Sequence, residues 1–255
     1  MRKEQKYIYS ILVFLFMIAG IAIFFQLTGE EEMEELKDTT IQEIETDPAF
    51  MQGPTELIRL EEEPNLVPKE FLDSIERNSD VYAWIDIPDT NVHYPILQGG
   101  PDDAYYLNHT IDKEAGYPGS IYTESINAKD FSDYNTVIYG HNMKDGSMFK
   151  HLHKFEDKEF FDTHEYITIY TESEMKMYRI YAAVVYSDKH IMKKFDFTNI
   201  EDRKAYIQSL DTGESVNQFR EGMIVDEESR LVTLATCIGG RPNNRWLVIG
   251  ELIER

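Results

Sequence analysis

The chain has 255 residues, 42% of them hydrophobic, and its 47 acidic side chains outnumber 25 basic ones to give a net charge of −22. That balance excludes a nucleic-acid binder, because neutralising phosphates takes a basic face and the lysines here are scattered. The single cysteine, Cys237, excludes an intramolecular disulfide and is either a small buried hydrophobe or a reagent.

In chain order, residues 8–26 (IYSILVFLFMIAGIAIFFQ) carry no charge. A helix of ~20 such residues spans a hydrocarbon core of about 30 Å. The run therefore predicts one N-terminal transmembrane helix, since it exceeds the roughly 7–15 residues of a cleaved signal peptide's apolar core. Arg2, Lys3 and Lys6 precede it, and Glu30, Glu31, Glu32, Glu34 and Glu35 follow. The positive-inside rule then makes 1–7 a cytoplasmic tail, 8–26 the anchor, and everything beyond it extracellular. Residues 27–68 read as an acidic stalk, broken by Asp47-Pro48 and Gly53-Pro54, and the folded domain is expected at 69–255.

That domain opens with a short helix near 69–78. Runs rich in β-branched and aromatic residues follow at 81–87, 91–97, 119–123, 135–140, 166–170, 175–187, 231–237 and 245–253. Eight such runs with few long helices between them predict a mainly-β, closed or nearly closed eight-stranded barrel with a few peripheral helices. Two helical insertions are expected. One, at 148–155, aligns Met148, Leu152 and Phe155, and the other, at 199–210, less regularly aligns Ile200, Ala205 or Lys204, Ile207 and Leu210.

Cys237 closes the strand LVTLATC just before Gly239 and Gly240, where a side chain emerges at a barrel rim and a substrate backbone can approach closely. A thiol works as a nucleophile only beside a base or cation that favours its thiolate. His141 ends the strand NTVIYG in the same manner and is the candidate base. Its competitors have plainer readings. His93 lies within a strand, His151 and His153 sit two apart on a helix and so face different ways, and His109, His164 and His190 fall in polar loops. Arg245 opens the strand after the cysteine loop and is the candidate cation, whereas Arg241 precedes Pro242 in what reads as loop. Position alone leaves a structural role open for each of them.

No H-E-x-x-H pair or thiolate cluster predicts a metal, and no phosphate-binding or dinucleotide fingerprint predicts a cofactor. A serine hydrolase elbow of the G-x-S-x-G type is also absent from the sequence.

Thr233-Leu234-Ala235-Thr236-Cys237 resembles the T-L-x-T-C signature of the sortases. The segment Tyr139-Gly140-His141-Asn142, continuing through Met143 to Phe149, is similar to the histidine segment of their class B branch. Arg245 in Asn244-Arg245-Trp246-Leu247-Val248 resembles the family's arginine at the start of the last strand. The resemblance implies a sortase-type barrel on a single N-terminal membrane anchor at the outer face of a Gram-positive cell. It implies a cysteine transpeptidase that cleaves a C-terminal sorting signal of the N-P-x-T-N or N-P-x-T-G kind after threonine. The acyl group of the surface protein would pass to an amine of the peptidoglycan. By the same resemblance Cys237 is the nucleophile, His141 the general acid/base and Arg245 the oxyanion or substrate-positioning group. Leu107, Ala235 and Thr236 would line the substrate groove, and the insertion at 199–210 matches a helix that class B members carry there. Three alternatives stay open: a pilin-polymerising sortase, a cysteine protease or acyl hydrolase using the same pair, and a non-catalytic surface binding module with an inert thiol.

Overall fold

Alternation of apolar side chains organises the computed structural model, which describes residues 67–254. The expected cytoplasmic tail, membrane span and nearly all of the stalk lie outside the described residues. Among the described residues no helix is long and apolar enough to cross a membrane.

Helix α1 (Lys69–Arg77) sets Phe71 into a cluster with Trp84, Leu97 and Tyr106. Strands β1 (Val81–Asp86), β2 (His93–Leu97), β3 (Ile121–Thr123) and β4 (Asn135–Tyr139) follow. A 3₁₀ segment (Phe149–Glu156) and α2 (Lys158–Thr163) lead to β5 (Tyr166–Tyr170) and the long β6 (Met175–Ser187). Helices α3 (Ile191–Lys194) and α4 (Ile200–Ser209) precede β7 (Gln218–Phe219), β8 (Leu231–Ile238) and β9 (Arg241–Glu254).

The strands run β1-β2-β3-β4-β8-β9-β6-β5, and β5 pairs again with β1, so eight strands close a barrel as the sequence predicts. The ninth, β7, is a two-residue addition that pairs with β6 at Ala182 and Ala183. Period-two side-chain direction divides β8 between two cores. Val232 and Leu234 join Ile85, Ile138 and Trp246 in one cluster, while Leu231 and Ala235 join Phe195, Phe197 and Tyr206 under α3 and α4 in another. Each fully buried large side chain contributes roughly 1.5–3 kcal/mol.

Two local expectations are corrected. In α4 Tyr206 is buried, its hydroxyl bonded to Thr233 Oγ1 at 2.8 Å; of the expected stripe Leu210 is buried and Ile207 packs against the same core, while Ile200 is 44% exposed. Asn199 caps this helix by accepting from the Glu201 N–H, so Ile200 starts the first turn facing outward. The stretch 149–156 is 3₁₀, and it buries Phe149, Leu152 and Phe155, a spacing of three that suits its three-residue turn.

Candidate active site

Strands β4 and β8 are parallel, with Tyr139 opposite Ala235, so both chains leave the barrel at one edge. His141 and Cys237 each stand two residues beyond that rung. One further bond, Gly140 N–H to Ala235 C=O at 3.2 Å, carries the pairing past the end of β4. The glycine is required there by close packing. A Cβ on Gly140 would lie 2.4 Å from Ile121 Cδ1 and 2.6 Å from the Phe149 ring.

Cys237 is exposed, on the same face of β8 as Ala235. It pairs across the β8–β9 hairpin with Arg245, and Ile238 then pairs with Arg241, a register shift that bulges residues 242–244 out of the β8 ladder. Gly240, with φ of 76°, makes the turn in the left-handed region where a side chain is costly. The expectation of a loop through Arg241 is therefore corrected: β9 begins at Arg241. The side chain of Arg241 is drawn to Glu214, 2.6 Å away. Arg245 Nη1 instead donates to the carbonyls of Pro242 and Asn244 at 3.0 and 2.9 Å, leaving Nε and Nη2 unpartnered among the described residues.

His141 Nε2 lies 2.8 Å from the Leu107 carbonyl. A carbonyl only accepts, so Nε2 carries the proton and the neutral ring keeps its lone pair on Nδ1. Tyr117, 68% exposed, leans over this imidazole with ring centroids 4.7 Å apart.

Leu107, His141, Ala235, Thr236, Cys237 and Arg245 line one cavity of about 360 Å³. Leu107 is 41% exposed, whereas Ala235 and Thr236 are buried. The cavity's far wall contains residues that the sequence did not single out. His190 caps α3 by accepting from the Lys193 N–H and holds Glu124 at 2.6 Å. Tyr139 and Tyr122 stack at 5.4 Å, and burial pushes both hydroxyls above the usual tyrosine range, so they face the cavity neutral. The Tyr139 hydroxyl is buried with no hydrogen-bond partner among the described residues.

The sequence reading also passed over His153 and Asn142. Both reach the main-chain carbonyl of Cys237, at 3.0 and 2.8 Å. Asn142 belongs to the quoted histidine segment and His153 to the expected helix, but neither points to their shared partner, a backbone atom 95 and 84 positions away. A thiol, an imidazole and a guanidinium around one groove can transfer an acyl group: sulfur attacks, nitrogen moves the proton, and the cation meets the oxyanion.

Residues 85–253 match the Sortase domain family model. Sortase B of Listeria monocytogenes is 33% identical over 191 residues, covering 73% of this chain and 75% of that protein. The structure of Clostridium perfringens sortase B superposes with a TM-score of 0.64 at 30% identity, covering 72% of this chain and 99% of that one. A Staphylococcus aureus sortase B–substrate complex gives 0.63 at 26% identity, over 72% and 85% of the two chains. With its eight-stranded barrel, its strand-end cysteine and these matches, the chain belongs to the sortase family of cysteine transpeptidases, among relatives of class B.

Proposed function

We propose that this protein is a class B sortase that cleaves an N-P-x-T-[N/G]-like sorting signal after threonine and joins the threonyl carbonyl to an amine of the cell-wall peptidoglycan. The observation that carries the reading is the meeting of Cys237, His141 and Arg245 on one cavity. In the first step the Cys237 thiolate attacks the threonine carbonyl, and Arg245 stabilises the oxyanion as its charge develops. The His141 imidazolium then protonates the departing amine, the C–N bond breaks, and a thioacyl enzyme remains. The now neutral ring takes a proton from the incoming amine, which displaces sulfur as thiolate and restores the charged pair. Leu107, Ala235 and Thr236 form the wall along which the signal lies.

The test is diversion by amine. The full chain in detergent micelles, given a signal peptide and hydroxylamine or triglycine, is expected to yield hydroxamate or peptide adduct at the expense of acid. Acid formation insensitive to either amine would instead identify an acyl hydrolase.

The apolar run at 8–26 supports a single-pass anchor with the catalytic domain outside the cell. Because Cys237 is the sole cysteine, a membrane-impermeant methanethiosulfonate reagent applied to intact cells reports its side directly. Labelling only after lysis would overturn that orientation.

A further inference from the structure

The backbone at the nucleophile raises a separate question of positioning. The carbonyls of Ala235 and Cys237 are two residues apart and point to the same side of β8, toward β4. Ala235 still finds a strand partner in the Gly140 N–H, but the Cys237 carbonyl lies beyond the end of β4. Two side chains replace the missing strand, Asn142 Nδ2 at 2.8 Å and His153 Nε2 at 3.0 Å.

His153 is itself held on two sides. Its Nδ1 meets Glu156 Oε1 at 2.5 Å and its ring lies nearly parallel to the Trp246 indole at 6.0 Å, while Asn142 Nδ2 shares the Cys237 carbonyl with it. Trp246 is fully buried and is fixed in turn by its own N–H to the Leu152 carbonyl at 2.8 Å. A carbonyl only accepts, so the contact with Cys237 places a proton on Nε2.

We propose that His153, oriented by Glu156, is a positioning residue for acyl transfer, which fixes the direction of the Cys237 thiol by holding that residue's main chain at the point where the strand ladder stops. The inference depends on Cys237 being the nucleophile. The same segment binds the base: the Phe149 N–H donates to the His141 carbonyl at 2.9 Å, and Asn142 follows His141 directly. Thiol and imidazole are thereby referred to one rigid piece of chain. Because His153 does not line the cavity, its loss disturbs the geometry of attack rather than the seating of substrate.

The test compares kcat and KM for signal-peptide cleavage by the full chain, with hydroxylamine as acceptor, alongside thermal melting. His153→Ala is expected to lower kcat by roughly 10- to 100-fold, the scale of a misplacement near 1 Å, with KM changed less than about twofold. His153→Gln, which keeps a donor of similar reach, is expected to recover most of that loss. A parental kcat in His153→Ala, a rise in KM alone, or no recovery with glutamine would each overturn the proposal. Should the alanine variant melt below the assay temperature, Glu156→Gln carries the test, with a several-fold lower kcat expected and an unchanged kcat overturning it. Cys237→Ala separates the two readings: activity in that variant removes the nucleophile assignment itself, whereas an inactive Cys237→Ala beside a parental His153→Ala removes only the role of His153.

Discussion

Cys237 and Arg245 are cross-strand partners at the last regular rung of the β8–β9 hairpin, and the ladder beyond them breaks into a bulge. The bulge lets the arginine join the thiol at the cavity while Arg241, four positions earlier, turns away to Glu214. Arg245→Ala is expected to lower kcat/KM by about 10²–10³, the cost of removing one oxyanion donor. Arg241→Ala should stay within about twofold of the parent, because it loses only an exposed ion pair worth roughly 0–1 kcal/mol. Steady-state kinetics on the two variants decide the assignment, and the reverse ranking would invalidate it.

Gly140 leads to a second expectation. Its φ is not the constraint; the neighbours are, with Ile121 Cδ1 and the Phe149 ring where a methyl group would go. Gly140→Ala should overpack this contact at a cost of about 1–3 kcal/mol and displace His141 from the Leu107 carbonyl. A lower melting temperature together with a reduced kcat is the expected pair of results. An unchanged melting curve would show that the barrel edge yields easily.

Acid stability should depend on Asp80. Burial works to raise this carboxyl, but the Tyr106 hydroxyl at 2.6 Å and the Lys113 ammonium at 2.9 Å outweigh it and hold the group below its ordinary range. The folded state therefore binds the proton less readily than the unfolded chain. Asp80 contributes its full stabilisation above the unfolded carboxyl's value of about 4 and loses it as pH falls through the lower folded value. Urea unfolding between neutral pH and pH 2 should show Asp80→Asn with a shallower acid decline than the parent. Parallel declines would dissociate this carboxyl from acid unfolding.

His141 offers a direct spectroscopic check. The Leu107 carbonyl requires the proton on Nε2 in the neutral ring. Nitrogen-15 spectra of the full chain, with His141→Ala as the assignment control, should show the Nε2–H tautomer. A predominant Nδ1–H form would mean that this bond is not made in solution.

The strands were legible because period two is written into the residues themselves. The runs at 166–170 and 175–187 coincide with β5 and β6, where buried residues alternate with more exposed ones along β5 and the first half of β6. The start of β9 was not legible. Proline cannot donate to a ladder, so Arg241-Pro242-Asn243-Asn244 reads as loop, and only the bulge opposite Cys237 accommodates it in a strand. Cys237 and His141 could be picked out because each stands at a strand end near glycine, and Arg245 because the apolar run of β9 begins there, although the strand itself starts at Arg241. His153 could not, since a helical projection places it by its neighbours along the helix, whereas its surroundings are set by Cys237 and Trp246 from strands that arrive much later in the chain.

The parallel pairing of β4 with β8 has a consequence for when activity can arise. Partners such as Thr136 and Val232 stand roughly a hundred positions apart, a long-range closure that tends to form slowly. β4, which leads to His141, is synthesised far ahead of β8, which carries Cys237, and the two can pair only once β8 has been made. On the proposed roles of these residues a half-made polypeptide is chemically silent, and competence comes with completion of the barrel.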